Sequence, residues 1–177
     1  VYFYPTMVGG AEWYVYNISR HLVKRGHEVH VYTCDSYQGK KIGPPEEQVE
    51  GVDVHRLPLR ADFTYRAKIW KNLRQALAET DHDVIHTYDY AQPHSYTATR
   101  VAESLGRPSV LTVFDIHSMI PRRFYKQFFM RMFDKYLARL TLRHTDRVLV
   151  RAPNLIPNLL EMGTPKDRIV VTPSGIE

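Results

Sequence analysis

Two adjacent glycines, Gly9 and Gly10, lie between an apolar run at residues 1–4 and a helical pattern. A strand that turns into a helix through two glycines leaves bare backbone N–H groups at the helix N-terminus, a geometry that suits an anion such as phosphate. The alternative is a tight turn that needs glycine for its backbone angles. The residues alone leave the two interpretations about equally open. The helical pattern itself is carried by apolar residues at spacings of three and four, namely Ala11, Tyr14, Val15, Ile18 and Leu22.

A second polar cluster follows a short apolar segment in the middle of the chain. His86, Tyr88 and Asp89 combine an imidazole, an aromatic ring and a carboxylate within four residues. Sugar hydroxyl groups bind to such donors and acceptors, and a flat ring suits the apolar face of a sugar. The alternative is a histidine with internal hydrogen bonds, followed by the first turn of a helix.

A third cluster places Asp115 and His117 two residues apart after another apolar segment. A histidine titrates near neutral pH and can take up or release a proton, so the pair could act in acid–base chemistry or hydrogen bonding. The alternative is that Asp115 caps the segment that follows it. The expected position at the ligand-binding edge of a sheet favours the functional interpretation.

Residues 122–143 form a basic and aromatic stretch with Asp134 as its only acidic residue. Cationic residues at intervals of four predict a stripe on one helix face, which could contact an anionic membrane surface. The alternative is a helix that packs on a sheet and exposes a solvated basic face. No recognised nucleic-acid motif accompanies the charge, so nucleic acid is not an expected partner. The candidate membrane-contact residues are Arg123, Lys126, Arg131, Lys135 and Arg139.

Composition and motifs narrow the function classes further. The single cysteine, Cys34, excludes an internal disulfide and indicates a reducing, cytoplasmic compartment. No apolar segment approaches the roughly 20 residues that span a bilayer, and no signal-peptide pattern is present. The nine histidines show no paired ligand spacing on a predicted helix, so we expect no metal site. There is also no P-loop and no Gly-x-Ser-x-Gly elbow.

Predicted strands alternate with predicted helices along most of the chain. This order predicts a single α/β domain over residues 1–177, with a Rossmann-like, doubly wound, mostly parallel sheet and helices on both faces. Ligands bind beyond the carboxyl ends of strands in such sheets, where all three clusters are expected. Residues 35–48 are polar and contain two prolines, which predicts a loop. We expect strands at residues 28–33, 51–58, 83–87, 109–114, 146–151 and 168–172, and helices at residues 67–79, 93–105, 121–144 and 154–162.

Five segments, in this order, resemble glycosyltransferase family 4. They are Gly9-Gly10-Ala11-Glu12, residues 22–33 (LVKRGHEVHVYT), Asp83-Val-Ile-His86, Leu111-Thr-Val-Phe-Asp115 and residues 169–177 (IVVTPSGIE). The resemblance covers the whole chain and is strong in combination, although each motif alone is modest. Phe3-Tyr4-Pro5 and Leu57-Pro58-Leu59 are similar to the phosphatidylinositol N-acetylglucosaminyltransferase branch.

The resemblance implies a retaining enzyme of the GT-B fold, with two Rossmann-like domains and a cleft between them. The chain resembles the N-terminal, acceptor-side domain, and its closing residues match the junction with a donor-binding domain. We therefore expect its own C-terminal domain as a partner, an N-terminus that has been trimmed, and no activity from the 177-residue chain alone. The implied activity is transfer of a hexose from a UDP- or GDP-linked sugar, without a metal or cofactor, to a sugar or lipid-linked acceptor. A membrane-linked acceptor would place the enzyme at the inner face of the membrane.

The resemblance also implies roles for individual residues. The glycine turn lies against the donor diphosphate in family members, and we expect Ser174 and Gly175 at the same cleft. His86, Asp115 and His117 are the expected catalytic residues. The expected acceptor-binding residues are Glu12, Tyr88 and Asp89.

Two positions depart from the family pattern. Family members often have a histidine where this chain has Phe114, and Pro-Asn-Gly near the junction is Pro173-Ser174-Gly175 here. Two other functions stay open, a related GT-B enzyme such as a nucleotide-sugar epimerase and a non-catalytic module that docks on anionic lipid. A Rossmann dehydrogenase fits poorly, because the turn lacks the third glycine of the dinucleotide fingerprint.

Overall fold

The computed structural model describes residue 3 and residues 9–37, 39–62, 68–115 and 134–173. The chain divides into two compact units, which are described separately. Unit 1 spans Val1–Phe63 and Lys68–Leu73, and unit 2 spans Thr64–Ala67 and Arg74–Glu177. The predicted first strand, apart from Phe3, and residues 121–133 of the predicted basic helix lie outside the described residues.

Unit 1 has one helix and several short strands among its described residues. They are α1 (Gly10–Lys24), β1 (His30–Cys34), β2 (Ser36–Tyr37), β3 (Lys40–Lys41), β4 (Glu46–Val49), β5 (Val52–Leu57), β6 (Leu59–Asp62) and β7 (Lys68–Trp70). A three-stranded sheet has the order β1-β5-β4, with β5 parallel to β1 and antiparallel to β4. β2 pairs with β3, and β6 pairs with β7, both antiparallel.

Helix α1 ends at Lys24, and the glycine predicted to terminate it follows two residues later. Gly26 has a φ of 87°, and its N–H donates to Val23 O at 2.9 Å. This left-handed conformation suits glycine and closes the last turn. The buried face differs from the predicted one, because Leu22 is 36% exposed. The buried residues of α1 are Glu12, Val15, Tyr16 and Ser19.

The predicted loop over residues 35–48 is wrong, since β2, β3 and most of β4 lie there. β4 and β5 form a hairpin through Glu50 and Gly51, both with positive φ (49° and 81°). Positive φ at both residues is typical of the tightest two-residue hairpin turn. The turn is fixed to α1, because the Tyr16 hydroxyl donates to Glu50 Oε1 at 2.6 Å. This hydrogen bond to a carboxylate raises the pKa of Tyr16.

The strand β5 buries an arginine that the hydrophobic pattern did not indicate. Val52, Val54 and Arg56 are buried in alternation, whereas the predicted inward residue Leu57 is only half-buried. The Arg56 guanidinium contacts Glu47 Oε2 at 2.7 Å and donates to Pro44 O at 3.1 Å. Because the charge is paired and hydrogen-bonded, it can occupy a buried position.

Unit 2 is built around a four-stranded parallel sheet of order β11-β10-β9-β8. This confirms the predicted α/β class with a parallel sheet flanked by helices. The helices are α2 (Leu73–Glu79), α3 (Pro93–Leu105), α4 (Arg139–Arg143), which follows a π-helical turn at Asp134–Ala138, and α5 (Ile156–Glu161), which follows a 3-10 turn at Pro153–Leu155. The strands are β8 (Ile85–Tyr88), β9 (Ser109–Val113), β10 (Arg147–Val150) and β11 (Ile169–Val171), the last preceded by a 3-10 turn at Lys166–Arg168.

Apolar residues from alternate positions of β9 and β10 form the core of unit 2 with residues from the helices. Its members are Tyr90, Ala91, Leu111, Val113, Ala138, Leu142, Val148, Val150, Leu155 and Leu159. Helix α3 has the predicted bounds and ends at Gly106, whose φ is 63°. The predicted start of α2 is wrong, because residues 68–70 pair with β6 and Asn72 has a φ of 58°. The core therefore fixes the strands whose carboxyl ends carry the candidate site.

Candidate functional site

The carboxyl ends of β8, β9 and β10 bring polar and aromatic residues to one edge of the sheet in unit 2. Tyr88 and Asp89 lie at the end of β8, Phe114 and Asp115 follow β9, and Arg151 follows β10. Parallel strands place these ends side by side, and this edge is where open α/β sheets bind ligands. We call Tyr88, Phe114 and Arg151 the edge row.

His86 lies in β8 with both ring nitrogens close to other side chains. Nε2 lies 2.8 Å from Thr112 Oγ1, and Nδ1 lies 3.3 Å from the Tyr88 hydroxyl. Burial lowers the pKa of His86 from 6.5 to about 4, so the imidazole is neutral near pH 7. Because its nitrogens are already engaged, this geometry favours positioning of Tyr88 over proton exchange with a ligand.

The edge row is a ladder of stacked groups that crosses three strands. The Tyr88 ring stacks on His86 with centroids 4.4 Å apart and on Phe114 at 6.0 Å. The Arg151 guanidinium carbon lies 5.5 Å from the Phe114 ring centroid, within the range of a cation–π contact. The three side chains are half-buried, so the edge presents a row of partly exposed stacked groups with a cation at one end.

Asp89 forms the turn that leads from β8 into α3. Its φ is 71°, and its N–H donates to Thr112 O at 3.0 Å. Its carboxylate accepts hydrogen bonds from Ala91 N at 3.2 Å and from Gln92 Nε2 at 3.4 Å. Asp89 therefore has the local role that the sequence left open as the alternative, a carboxylate at the first turn of a helix.

The remaining predicted residues at this edge are only partly described. Asp115 is exposed at the end of β9, beside the edge row. His117, Ser174 and Gly175 lie outside the described residues, so their expected roles stay predictions.

The glycine pair begins α1 in unit 1. Gly9 has a φ of −165°, an extended conformation that any residue adopts, and Gly10 is the first helical residue. A Cβ added to Gly9 would lie 3.5 Å from Glu12 Oε2, an ordinary contact, and one added to Gly10 would meet none of the described atoms within 4 Å. Neither backbone angle nor crowding among the described residues requires glycine here.

Glu12 lies in the first turn of α1, where a negative charge favours the helix dipole. Only 5% of its surface is exposed. Little of Glu12 is therefore open to the acceptor that the sequence assigned to it.

The family model of Glycosyltransferase Family 4 matches residues 8–177, from the glycine turn to the last residue. The chain belongs to glycosyltransferase family 4. A search of the curated proteins found no significant match.

The basic stretch of this family 4 domain is described from the π-helical turn onward. Lys135 and Arg139 are exposed, and each is followed directly by an exposed apolar residue, Tyr136 (64% exposed) and Leu140 (43%). The other candidate membrane-contact residues, Arg123, Lys126 and Arg131, lie outside the described residues. In the part of the chain that the structure describes, no helix has the length and apolar character needed to cross a membrane.

Sequence reasoning missed the partner of His86 in this glycosyltransferase domain. Thr112 lies in β9 directly beside Tyr88, because β8 and β9 pair in parallel register. His86 and Tyr88 lie on the same face of β8, because side chains alternate along a strand. Which residue of β9 lies beside them depends on the register of the two strands. The sequence predicts both strands but not how they align with each other.

Proposed function

We propose that this family 4 domain is the acceptor-side half of a retaining hexosyltransferase, which transfers a hexose from a UDP- or GDP-linked sugar. A donor-binding domain of the same protein would complete the site. The acceptor would be a sugar or a lipid-linked molecule, the latter being the phospholipid named in the phosphatidylinositol N-acetylglucosaminyltransferase branch. The proposal rests on family membership and on the glycine pair at the start of α1.

The glycine pair is the main structural support for the proposal, because the described structure does not require glycine at either position. The first N–H groups of an α-helix have no acceptor within the helix, and the helix dipole adds a partial positive charge. Without side chains at Gly9 and Gly10, a diphosphate could approach these N–H groups closely. Negative charge grows on the leaving diphosphate during sugar transfer, and preorganised donors stabilise such charge.

The sheet edge of unit 2 would bind a sugar. The apolar C–H groups of a sugar could contact the partly exposed edges of the stacked Tyr88 and Phe114 rings. The exposed carboxylate of Asp115 would orient an acceptor hydroxyl beside them. His86 would act through Tyr88 as a positioning residue.

A second function, docking on anionic lipid, is favoured by the exposed surface of the basic helix. Lys135 and Arg139 supply positive charge, and Tyr136 and Leu140 supply apolar surface on the same exposed segment. Cationic residues beside aromatic and aliphatic ones are typical of helices that lie at a membrane interface. This contact would bring the enzyme to a lipid-linked acceptor at the inner face of the membrane.

Substitution of Gly10 tests the proposed diphosphate site. Gly10→Val should leave the fold intact, because no described atom lies within 4 Å of the added Cβ. It should lower kcat/KM by about 100-fold if access to a backbone donor of the transition state is lost. The assay is a screen of the full-length protein with UDP- and GDP-hexoses and several acceptors, with NMR of the product to show the anomeric configuration.

The matched control is Lys24→Val, which places the same β-branched residue at an exposed position in the last turn of α1. Lys24→Val costs more helix propensity than Gly10→Val, because lysine favours the helix more than glycine does, so it is the more severe test of folding. Wild-type kcat/KM in Gly10→Val, with intact folding, would remove the glycine pair from the mechanism. An inverted product would refute the retaining assignment.

A further inference from the structure

Three potential metal ligands converge on one face of the sheet in unit 1. His30 begins β1 and pairs in parallel register with Asp53 of β5. Glu28 precedes His30 by two residues, the spacing that returns a side chain to the same face of an extended chain. One ligand atom from each of the three residues lies within 4.8 Å of the others.

The imidazole of His30 is oriented from its far side by a second histidine. His30 Nε2 lies 2.9 Å from Glu28 Oε1, and Nδ1 lies 3.0 Å from His55 Nε2. The other nitrogen of His55 lies 2.5 Å from Glu46 Oε2 on the neighbouring strand β4. The Tyr32 ring stacks on His55 with centroids 4.6 Å apart. This chain of contacts holds the His30 ring with Nε2 toward the Glu28 carboxylate.

Asp53 is oriented in the same manner from β4. Gln48 Nε2 donates a hydrogen bond to Asp53 Oδ1 at 3.0 Å. The backbone N–H of Asp53 donates to Val29 O at 2.9 Å, which fixes the register of β5 beside β1. His30 and Asp53 are therefore each oriented by a hydrogen-bonding partner. Metal ligands in proteins are commonly supported by such partners.

We propose that Glu28, His30 and Asp53 bind a divalent transition metal, with Zn²⁺ the best match. Imidazole nitrogen with carboxylate oxygen suits zinc, and three protein ligands leave a fourth position for water. Bonds of about 2.0–2.2 Å in a tetrahedral site place ligand atoms roughly 3.4 Å apart. The 80% exposed side chain of Glu28 is free to move by the additional distance.

This proposal departs from the sequence expectation of no metal site, and the reason is physical. That expectation was based on paired ligand spacing within helices. Here His30 and Asp53 come from two neighbouring strands, and Glu28 precedes the first of them. The site is independent of the glycosyltransferase proposal. Metal binding can therefore be measured without donor or acceptor.

The test is titration of metal-free, full-length protein with Zn²⁺ alone by calorimetry, and with Co²⁺ by visible absorption. We expect one zinc-dependent site that Glu28→Gln weakens by at least about 10-fold. Because Glu28 is exposed, this variant keeps the fold. His55→Gln should weaken binding by about 10-fold to 100-fold, since it disturbs the ring orientation of His30 rather than a ligand.

His27→Gln is the matched control, because His27 is exposed and adjacent to the site in sequence. It should bind Zn²⁺ as the wild type does, and circular dichroism should show that every variant is folded. Equal zinc affinity in Glu28→Gln and the wild type would overturn the proposal. Absence of stoichiometric binding by the wild type would overturn it as well.

Discussion

Lowering the pH from neutral to mildly acidic should destabilise unit 2, because two of its histidines are neutral when folded. Burial lowers the pKa of His86 from 6.5 to about 4. Burial also lowers the pKa of His94, in the first turn of α3, from 6.5 to about 3. In the unfolded chain both imidazoles regain an ordinary pKa and take up protons in the intervening range.

The sign and size of the effect follow from proton linkage. Between pH 6.5 and the lower pKa values of the folded state, the unfolded chain binds protons that the folded chain does not. The free energy of unfolding therefore decreases as the pH is lowered. At pH 5 each histidine accounts for a loss of about 2 kcal/mol, or about 4 kcal/mol for the pair. That is a large part of the roughly 5–15 kcal/mol by which a typical domain is stable.

The assay is hydrogen exchange of the full-length protein at several values from about pH 7.5 to about pH 5, corrected for intrinsic exchange rates. Peptides from β8 and α3 report on unit 2 directly. Protonation of Asp146 does not interfere with the measurement in this pH range. Burial opposes its ionisation, but hydrogen bonds from Ser109 and nearby arginines lower its pKa below 3.8. Its stabilisation is therefore lost only at more acidic pH.

His86→Gln should reduce the pH dependence by about half, since one of two similar terms is removed. His27→Gln, at an exposed position, should leave it unchanged. Equal protection of β8 and α3 at both ends of the range would refute the reasoning. An unchanged slope in His86→Gln would exclude His86 as a source.

Two further predictions concern the basic helix of unit 2 and the turn between β4 and β5 in unit 1. Charge reversal in unit 2 by Lys135→Glu with Arg139→Glu should lower the partition constant on phosphatidylserine vesicles, measured by co-sedimentation, by at least about 30-fold, because each lost cation costs about 1 kcal/mol. The control Lys24→Glu should not reduce it, and unchanged binding of the double variant would remove this helix from membrane contact. In unit 1, Gly51→Ala should lower the free energy of unfolding by about 1–3 kcal/mol in urea titration. Its φ is 81° and the new Cβ would lie 2.7 Å from Val23 Cγ1, so wild-type stability would contradict this clash.

The parts of the fold that the sequence predicted well have local causes. Helix α3 begins at Pro93, which fixes the backbone angle of a first turn, and ends at Gly106 in the left-handed conformation. The predicted strands of unit 2 are found within one or two residues of their expected ends. Each of these signals lies within the segment that it shapes, so a single sequence is enough to read it.

The failures have two causes, an unusual turn sequence and a buried position decided by residues farther along the chain. The hairpin of β4 and β5 turns through Glu50 and Gly51, a pair without the usual asparagine or aspartate before glycine. Arg56 occupies a buried position because Glu47 and Pro44, distant in sequence, satisfy its guanidinium. Periodicity assigns a charged residue to solvent and cannot anticipate such a partner.

In the candidate site, the sequence predicts which residue types are present but not which of them pair across neighbouring strands. Sequence reasoning found His86, Tyr88 and Asp89 as a polar cluster at a strand end, and they lie there. It could not show that Thr112 engages His86 or that the carboxylate of Asp89 is used by its own turn. Strand pairing decides which side chains are left for a ligand.

Phe114 determines what chemistry the sheet edge of unit 2 can offer. A phenyl ring neither donates nor accepts a conventional hydrogen bond, so the histidine common at this position in the family has no polar equivalent here. The ring instead lies between Tyr88 and Arg151, which adds flat apolar surface and a cation. Because His86 is neutral and engaged by Thr112, it does not replace the missing imidazole. We therefore expect a sugar at this edge to contact the exposed edge of the Phe114 ring, with hydrogen bonds supplied by Asp115.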